Sequence, residues 1–293
     1  MAYAKFFLSK TKPSFNLAQA KSLIIRELQD DIGKQDITTV LTIPQGQSAK
    51  AKLVAKEDFV LCGIGIAQMV FKSVDAKLKF VPLAKEGSRI RKMQALAAIS
   101  GSAASILSAE RVALNLLSFL SGVATKTDSF LRRIKPFKAK IIDTRKTIPG
   151  LRQLEKYAVR IGGGYNHRMR LDEMILIKDN HQRIMDGHFN LLNLPKGYKV
   201  EIEVQNLKEF IRALSFKPEV IMLDNMSIKD MTKAVAIRNR LKNNCRTCIT
   251  LLEASGGVNL SNVKKYAATG VDLISIGELT DSVTSVDISL DVL

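Results

Sequence analysis

Apolar positions along the chain change period as it proceeds. Leu17, Ala20, Leu23, Ile24 and Leu28 recur at helical spacing, which predicts an amphipathic helix over residues 17–31 that ends near Gly33. Residues 49–62 (AKAKLVAKEDFVLC) alternate in the manner of strands, and the run from Gly63 and Gly65 to Val74 reads as a helix. Residues 76–83 and 94–99 read as further strands, parted by the turn residues Glu86, Gly87 and Ser88, so the first third is a small α+β unit. From Ser105 to Ile134 the helical period holds again, as one long helix or as two with a break near Gly122.

A different rhythm follows. Short apolar, β-branched runs occur at 139–143, 174–178, 199–205, 219–224, 247–253 and 271–277, and helix-like segments separate most of them. Buried strands alternating with helices are the sequence form of a parallel α/β sheet or barrel. Each run ends in polar groups: Asp143 to Lys146, Lys178 to His181, Glu203, Asp224 with Asn225, Glu253 to Gly257, and Gly277 with Glu278. Chemistry at the C-terminal ends of six successive strands describes a barrel mouth, whereas a doubly wound sheet gathers its ligands at one switch point. The pattern predicts a barrel of six or seven strands.

Composition narrows the class. With 293 residues, 46% hydrophobic and 25% charged, the chain has the balance of a folded globular protein of about two domains. Three cysteines, Cys62, Cys245 and Cys248, are too few and too unevenly placed for a disulfide framework, which points to a reducing, cytoplasmic setting. Residues 1–12 lack the apolar centre of a signal peptide, and no run of 18 consecutive apolar residues predicts a membrane span.

The formal charge is +17, concentrated in residues 81–170, where 18 Lys and Arg face 5 Asp and Glu; residues 201–293 are nearly balanced at 11 to 12. Such a surplus suits an anionic partner or a lysine-decorated surface. A nucleic-acid binder would also carry a recognition module or interleaved aromatics, and aromatics make up only 6% here.

Three constellations carry candidate chemistry. The first is basic: Arg145, Lys146, Arg152, His167, Arg168 and Lys178. Arginine forks grip carboxylates with two parallel bonds and lysine adds a compact charge, so this set suits a small polyanion with more than one acidic group, the alternative being a solvated loop. The second is acidic: Glu201 and Glu203 share one face of a strand, and Asp224 ends the next. Hard oxygen ligands from neighbouring strands suit Mg²⁺ that substrate phosphates also hold, and Glu201 reads equally as the buried partner of an Arg or Lys. The third is glycine-based, Ser255-Gly256-Gly257 and Gly277, each able to open a helix whose backbone N–H groups receive a phosphate. Cys245 and Cys248 form a lone CxxC, His181 and His188 read as loop residues, and Arg132, Arg133 and Lys135 read as a solvated helix end.

The stretch DTRKTIPGLRQLEKYAVRIGGGYNHRMRLDEMILIKDNH (143–181), with IEV (202–204), IMLDNM (221–226), LLEASGGV (251–258) and DLISIGELT (272–280), resembles the quinolinate phosphoribosyltransferase family, and the likeness begins at DIGKQDITT (31–39). The resemblance implies an N-terminal α/β sandwich over residues 1–120, joined by the tail 281–293, and an incomplete α/β barrel over 121–280, in a homodimer with shared sites. It implies that quinolinate is held by Arg145, Lys146, His167, Arg168 and Lys178, with Arg111 reaching across from the neighbouring subunit. Glu203 and Asp224 would serve the ribose and Mg²⁺–pyrophosphate side, and Ser255, Gly256, Gly257 and Gly277 the 5-phosphate of phosphoribosyl pyrophosphate. Gln35, where the family often has glycine, and Asp281, where it often has histidine, depart from the pattern. A related phosphoribosyltransferase with another acceptor is the nearest rival, which the pairing of YNHR with LIKDNH disfavours.

Overall fold

The computed structural model describes residues 14–185, 197–244 and 250–293. Two compact units divide them. One holds the described residues through Asp128 together with Thr147–Gly163 and Ser282–Leu293; the other holds Ser129–Lys146 and Gly164–Asp281.

The first unit opens with α1 (Leu17–Ile32), whose N-cap Asn16 accepts the Gln19 N–H and whose end is set by Gly33 at φ 60°. It buries Ala20, Leu23, Ile24 and Leu28, while Leu17, counted in the apolar face, is exposed because it starts the helix. A short helix that the periodicity did not reveal, α2 (Ile37–Thr42), is capped by Asp36, which accepts from the Thr39 N–H. Then come β1 (Ser48–Ala55), β2 (Phe59–Val60), α3 (Ile64–Val74), β3 (Lys79–Pro82), β4 (Arg89–Ile90) and β5 (Ala95–Ser102). The tail returns as β12 (Ile288–Val292), giving an antiparallel sheet in the order β12-β1-β5-β3 with β1 at its centre, Leu53 facing Leu290 on one side and Ala97 on the other.

The long apolar run is one helix, α4 (Ala103–Arg133), unbroken at Gly122. A Cβ at Gly122 would run into the backbone of Thr284, so this glycine serves a close approach of the tail rather than a break. One window of α4 is apolar enough by composition to cross a membrane, but 61% of it is buried inside the protein, as in a core helix.

The second unit is built on β6 (Lys140–Ile142), β7 (Ile175–Ile177), β8 (Val200–Val204), β9 (Val220–Asp224), β10 (Leu251–Ser255) and β11 (Leu273–Ser275). Between them run α5 (Arg152–Ile161), which belongs to the first unit, and α6 (Asp179–Ile184), α7 (Leu207–Ser215), α8 (Ile228–Asn244) and α9 (Val263–Ala268); α10 (Glu278–Asp281) follows the last strand. Among the described residues these six strands form one parallel sheet in the order β6-β11-β10-β9-β8-β7. The first strand pairs with the last and the rest follow in sequence, which is the order of a barrel left open between its first and second strands. At that seam Ile142 makes an isolated parallel bridge with Tyr165. Ile141, Ile202, Ile221, Leu223, Leu252, Leu273 and Ile274 are buried in it, the near-continuous apolar lining expected of strands covered on both faces.

Candidate functional site

The six strands deliver their C-terminal ends to one cavity of about 790 Å³ within the second unit. Eleven of the residues singled out in the sequence line it: Arg145, Lys146, His167, Arg168, Lys178, Glu203, Asp224, Ser255, Gly256, Gly257 and Gly277. Arg111 does not; it is exposed on α4 in the other unit. Arg152 also lies in that unit, where its Nε donates to Thr147 Oγ1 at 3.1 Å. His181 stands exposed on α6 rather than in a loop, its Nδ1 accepting from the Lys178 N–H at 3.0 Å. His188, Cys245 and Cys248 lie outside the described residues.

The basic end is assembled at the seam. Asp143, just past β6 and fully buried, accepts the main-chain N–H of His167 at 2.8 Å and a hydrogen bond from the Asn166 side-chain amide. That anchors the segment 165–168 and presents Arg168, whose Nη1 donates to the Met174 carbonyl at 3.0 Å. Burial, and after it the charge of Arg145, lowers the Arg168 pKa against the opposing pull of Glu201 and Glu173, so two guanidinium groups face the same cavity. Lys146 is fixed through its backbone: its N–H donates to Thr144 Oγ1 and its carbonyl accepts from Thr280 Oγ1 on α10. Lys178 follows β7, with Nζ 3.9 Å from Glu203 Oε2.

Behind this rim lies a buried acidic layer. Glu201 and Glu253 are fully buried on β8 and β10, and His167 is nearly so. His167 Nε2 is 3.0 Å from Glu201 Oε2 and 3.9 Å from Glu253 Oε2, while its Nδ1 accepts from the Arg168 N–H at 2.8 Å. The expected Arg or Lys partner of Glu201 is thus replaced by a histidine. Burial pushes both carboxyls well above the usual range, and at Glu253 the charge of Glu201 adds to the push. Glu253 was visible as a strand end but not singled out; a glutamate inside the apolar run LLEAS is the signal, because a buried carboxyl is costly without a partner.

The other end of the cavity holds Glu203 and Asp224, from adjacent strands. Burial raises the Glu203 pKa, and the Asp224 charge adds to this against the Asp179 N–H and Lys178, which lower it. Next to them Gly256 and Gly257 take φ of 94° and 60°, and Asn225 a φ of 52°. A Cβ at Gly256 would overlap the Asn225 side chain, so only glycine lets these two turns meet. The Gly256 and Gly257 carbonyls are tied back by Tyr266 Oη and Asn262 Nδ2. These glycines do not open a helix directly, as their spacing had suggested: a turn intervenes and α9 starts at Val263. Gly277 does lead straight into α10, and a Cβ there would crowd Asp281 Oδ2 and the Lys146 side chain, which makes Asp281 a cavity residue.

Comparison with known proteins finds two family models that together span most of the chain. Residues 36–121 match the family model of the quinolinate phosphoribosyl transferase N-terminal domain, and residues 123–291 that of the C-terminal domain. The nicotinate-nucleotide pyrophosphorylase (carboxylating) of Mycobacterium leprae is 39% identical over 279 residues, covering 93% of this chain and 96% of its own length. A probable nicotinate-nucleotide pyrophosphorylase of Methanocaldococcus jannaschii is 40% identical over 281 residues, 93% and 97% of the two chains. Among solved structures, the nicotinate-nucleotide pyrophosphorylase from Francisella tularensis superimposes with a TM-score of 0.88 at 35% identity, covering 96% of this chain and 99% of that one.

Proposed function

This chain belongs to the quinolinate phosphoribosyltransferase family, and on that premise we propose how its residues divide the work of making nicotinate mononucleotide, CO₂ and pyrophosphate from quinolinate and phosphoribosyl pyrophosphate. The observation that carries the division is the order of the lining round the mouth: guanidinium and ammonium groups on the segments flanking the seam, then Glu203 and Asp224 on the next two strands, with Lys178 3.9 Å from Glu203, and then a glycine turn.

Quinolinate enters the basic end, where Arg145, Arg168 and Lys178 meet its two carboxylates and Lys146 offsets the charge of the one that departs, with His167 beside them. Its ring nitrogen then faces the anomeric carbon of phosphoribosyl pyrophosphate, whose 5-phosphate rests on Ser255, Gly256, Gly257 and Gly277. As the new C–N bond forms and pyrophosphate leaves, the sugar acquires positive charge, which Glu203 and Asp224 stabilise electrostatically. N-ribosylation makes the ring cationic; that charge stabilises the carbanion left when the 2-carboxylate departs as CO₂, and the carbon takes up a proton.

Glu203 and Asp224 also suit a hard divalent cation. They lie on neighbouring strands at the cavity wall, and the Asp224 charge disfavours ionisation of Glu203, a cost that Mg²⁺ would remove. When bound there with the substrate, Mg²⁺ would neutralise the leaving pyrophosphate.

Arg111, exposed on α4, is assigned to a partner's site in a homodimer, and the buried free Cys62 accords with a cytoplasmic address. Mixing Arg111→Ala with Lys146→Ala protein restores activity if sites are shared, since one site of the mixed dimer is then intact; no recovery would argue against sharing. The deciding experiment on function is product analysis with phosphoribosyl pyrophosphate, Mg²⁺ and either quinolinate or nicotinic acid. Nicotinate mononucleotide, CO₂ and pyrophosphate from quinolinate alone are expected; silence with both would move the assignment to a relative with another acceptor.

A further inference from the structure

We propose that His167 is a positioning residue, oriented by Glu201 and in turn fixing the main chain of Arg168, rather than a hydrogen-bond donor to the substrate. The proposal rests on the reading above, in which Arg168 grips quinolinate, and deepens it.

The tautomer follows from the partners. A backbone N–H can only donate, so His167 Nδ1, 2.8 Å from the Arg168 amide, carries no proton. A neutral imidazole has one N–H, which therefore sits on Nε2 and is donated to Glu201 Oε2 at 3.0 Å. Turning the ring over would set carbons against both partners. Both nitrogens are thus engaged inside the protein, and neither is left for a ligand, although the ring lines the cavity.

The same logic bears on a buried metal. Ligand atoms of His167, Glu201 and Glu253 lie within 4.8 Å of one another, yet Nε2 could bind a cation only by surrendering the proton that a ring accepting at Nδ1 must keep there.

What the ring does hold is Arg168. The segment is pinned from one side by Asp143, which accepts the His167 N–H, and from the other by Glu201 through the ring to the Arg168 amide. Arg168, a residue 7% exposed, spends Nη1 on the Met174 carbonyl, and its Nε has no hydrogen-bond partner among the described residues. A buried guanidinium held at its backbone, braced at one nitrogen and left unsatisfied at another is prepared for a carboxylate.

Histidine ¹⁵N spectra and steady-state kinetics test this together. The chain has three histidines, so the His167 signals are assignable by substitution. A neutral Nε2–H ring, unchanged when quinolinate is added, is expected; protonation of Nδ1 or a displaced Nε2 proton on binding would overturn the proposal. Glu201→Leu should raise the KM for quinolinate about tenfold or more while moving that for phosphoribosyl pyrophosphate far less, and Glu201→Gln, which keeps an acceptor, should recover most of the loss. His167→Asn leaves Glu201 in place and puts an acceptor where Nδ1 was; it should bind quinolinate better than His167→Gln, whose amide mimics Nε2. The reverse ranking would assign the ring to the substrate. If the wild-type protein made no nicotinate mononucleotide from quinolinate, the substrate reading would fail while the ring spectrum still decided the tautomer.

Discussion

Two glutamates, one in each unit, meet opposite fates. Glu86 in the first unit accepts three hydrogen bonds: from Gly63 N–H at 2.7 Å, from Ile64 N–H at 3.1 Å and from Tyr157 Oη–H at 2.9 Å. It supplies from a distance the cap that α3 cannot draw from its own N-cap, Gly63, which sits at φ 100° and has no side chain. Glu253 in the second unit is fully buried and neither of its oxygens has a hydrogen-bond partner among the described residues. The difference teaches what a carboxyl can be used for. Glu86 completes the fold; Glu253 is held short of satisfaction beside a cavity, a cost that folded proteins tolerate mainly at functional sites.

The comparison is broken most severely at the cavity. Lys146→Ala or Arg168→Ala should lower kcat/KM for quinolinate by about 100-fold or more; Lys146→Ala should leave the melting temperature nearly unchanged, whereas Arg168→Ala also loses the buried bond to the Met174 carbonyl. Near wild-type kcat/KM in either variant would refute the assignment. Gly256→Ala, which drives a methyl into Asn225 from a left-handed backbone, should raise the KM for phosphoribosyl pyrophosphate by roughly tenfold and that for quinolinate much less. Equal effects on both would mean that the turn supports the whole mouth.

Glu86→Ala inverts the pattern. It strands two helix N–H groups and a tyrosine hydroxyl, so denaturant unfolding should show a loss of about 2 kcal/mol while kcat/KM at 25 °C stays as it was. A change of pH sharpens the contrast further. Because the folded Glu253 carboxyl keeps its proton above the unfolded value, native protein binds one more proton than unfolded protein as pH rises past about 4.3, and this residue's contribution to stability falls by up to about 1.4 kcal/mol per unit until the folded carboxyl ionises. Glu253→Gln removes that slope, so its stability relative to wild type should grow between pH 5 and 8; parallel curves would place the carboxylate, not the acid, in the folded state.

The barrel was legible because parallel strands buried on both faces write themselves as short apolar runs, and because each run stops at the polar groups that form the mouth. The first unit was less so. α2 is six residues long and announces itself only through its Asp36 cap, too short for periodicity to register. Gly122 reads as a helix breaker until Thr284 is seen against it. Arg152 looks equivalent to Arg145 in sequence, yet Thr147–Gly163 packs with the first unit, a long-range preference that no local spacing encodes. Glu201 and Glu203 share a strand face as expected, but depth separates them: Glu203 lines the cavity, whereas Glu201 lies behind it against His167. Which partner a buried carboxyl meets is decided across strands, by neighbours far away in the chain.

The open seam has a consequence of its own. In a regular strand, consecutive side chains point to opposite faces, so a barrel closed by a seventh strand could turn only one of His167 and Arg168 inward. The single bridge between Ile142 and Tyr165 stops short of a ladder, and past it the backbone escapes that parity, so two neighbouring residues face one cavity. Leaving the barrel unfinished is what allows adjacent letters of the sequence to line the same cavity, one gripping and the other holding its neighbour in place.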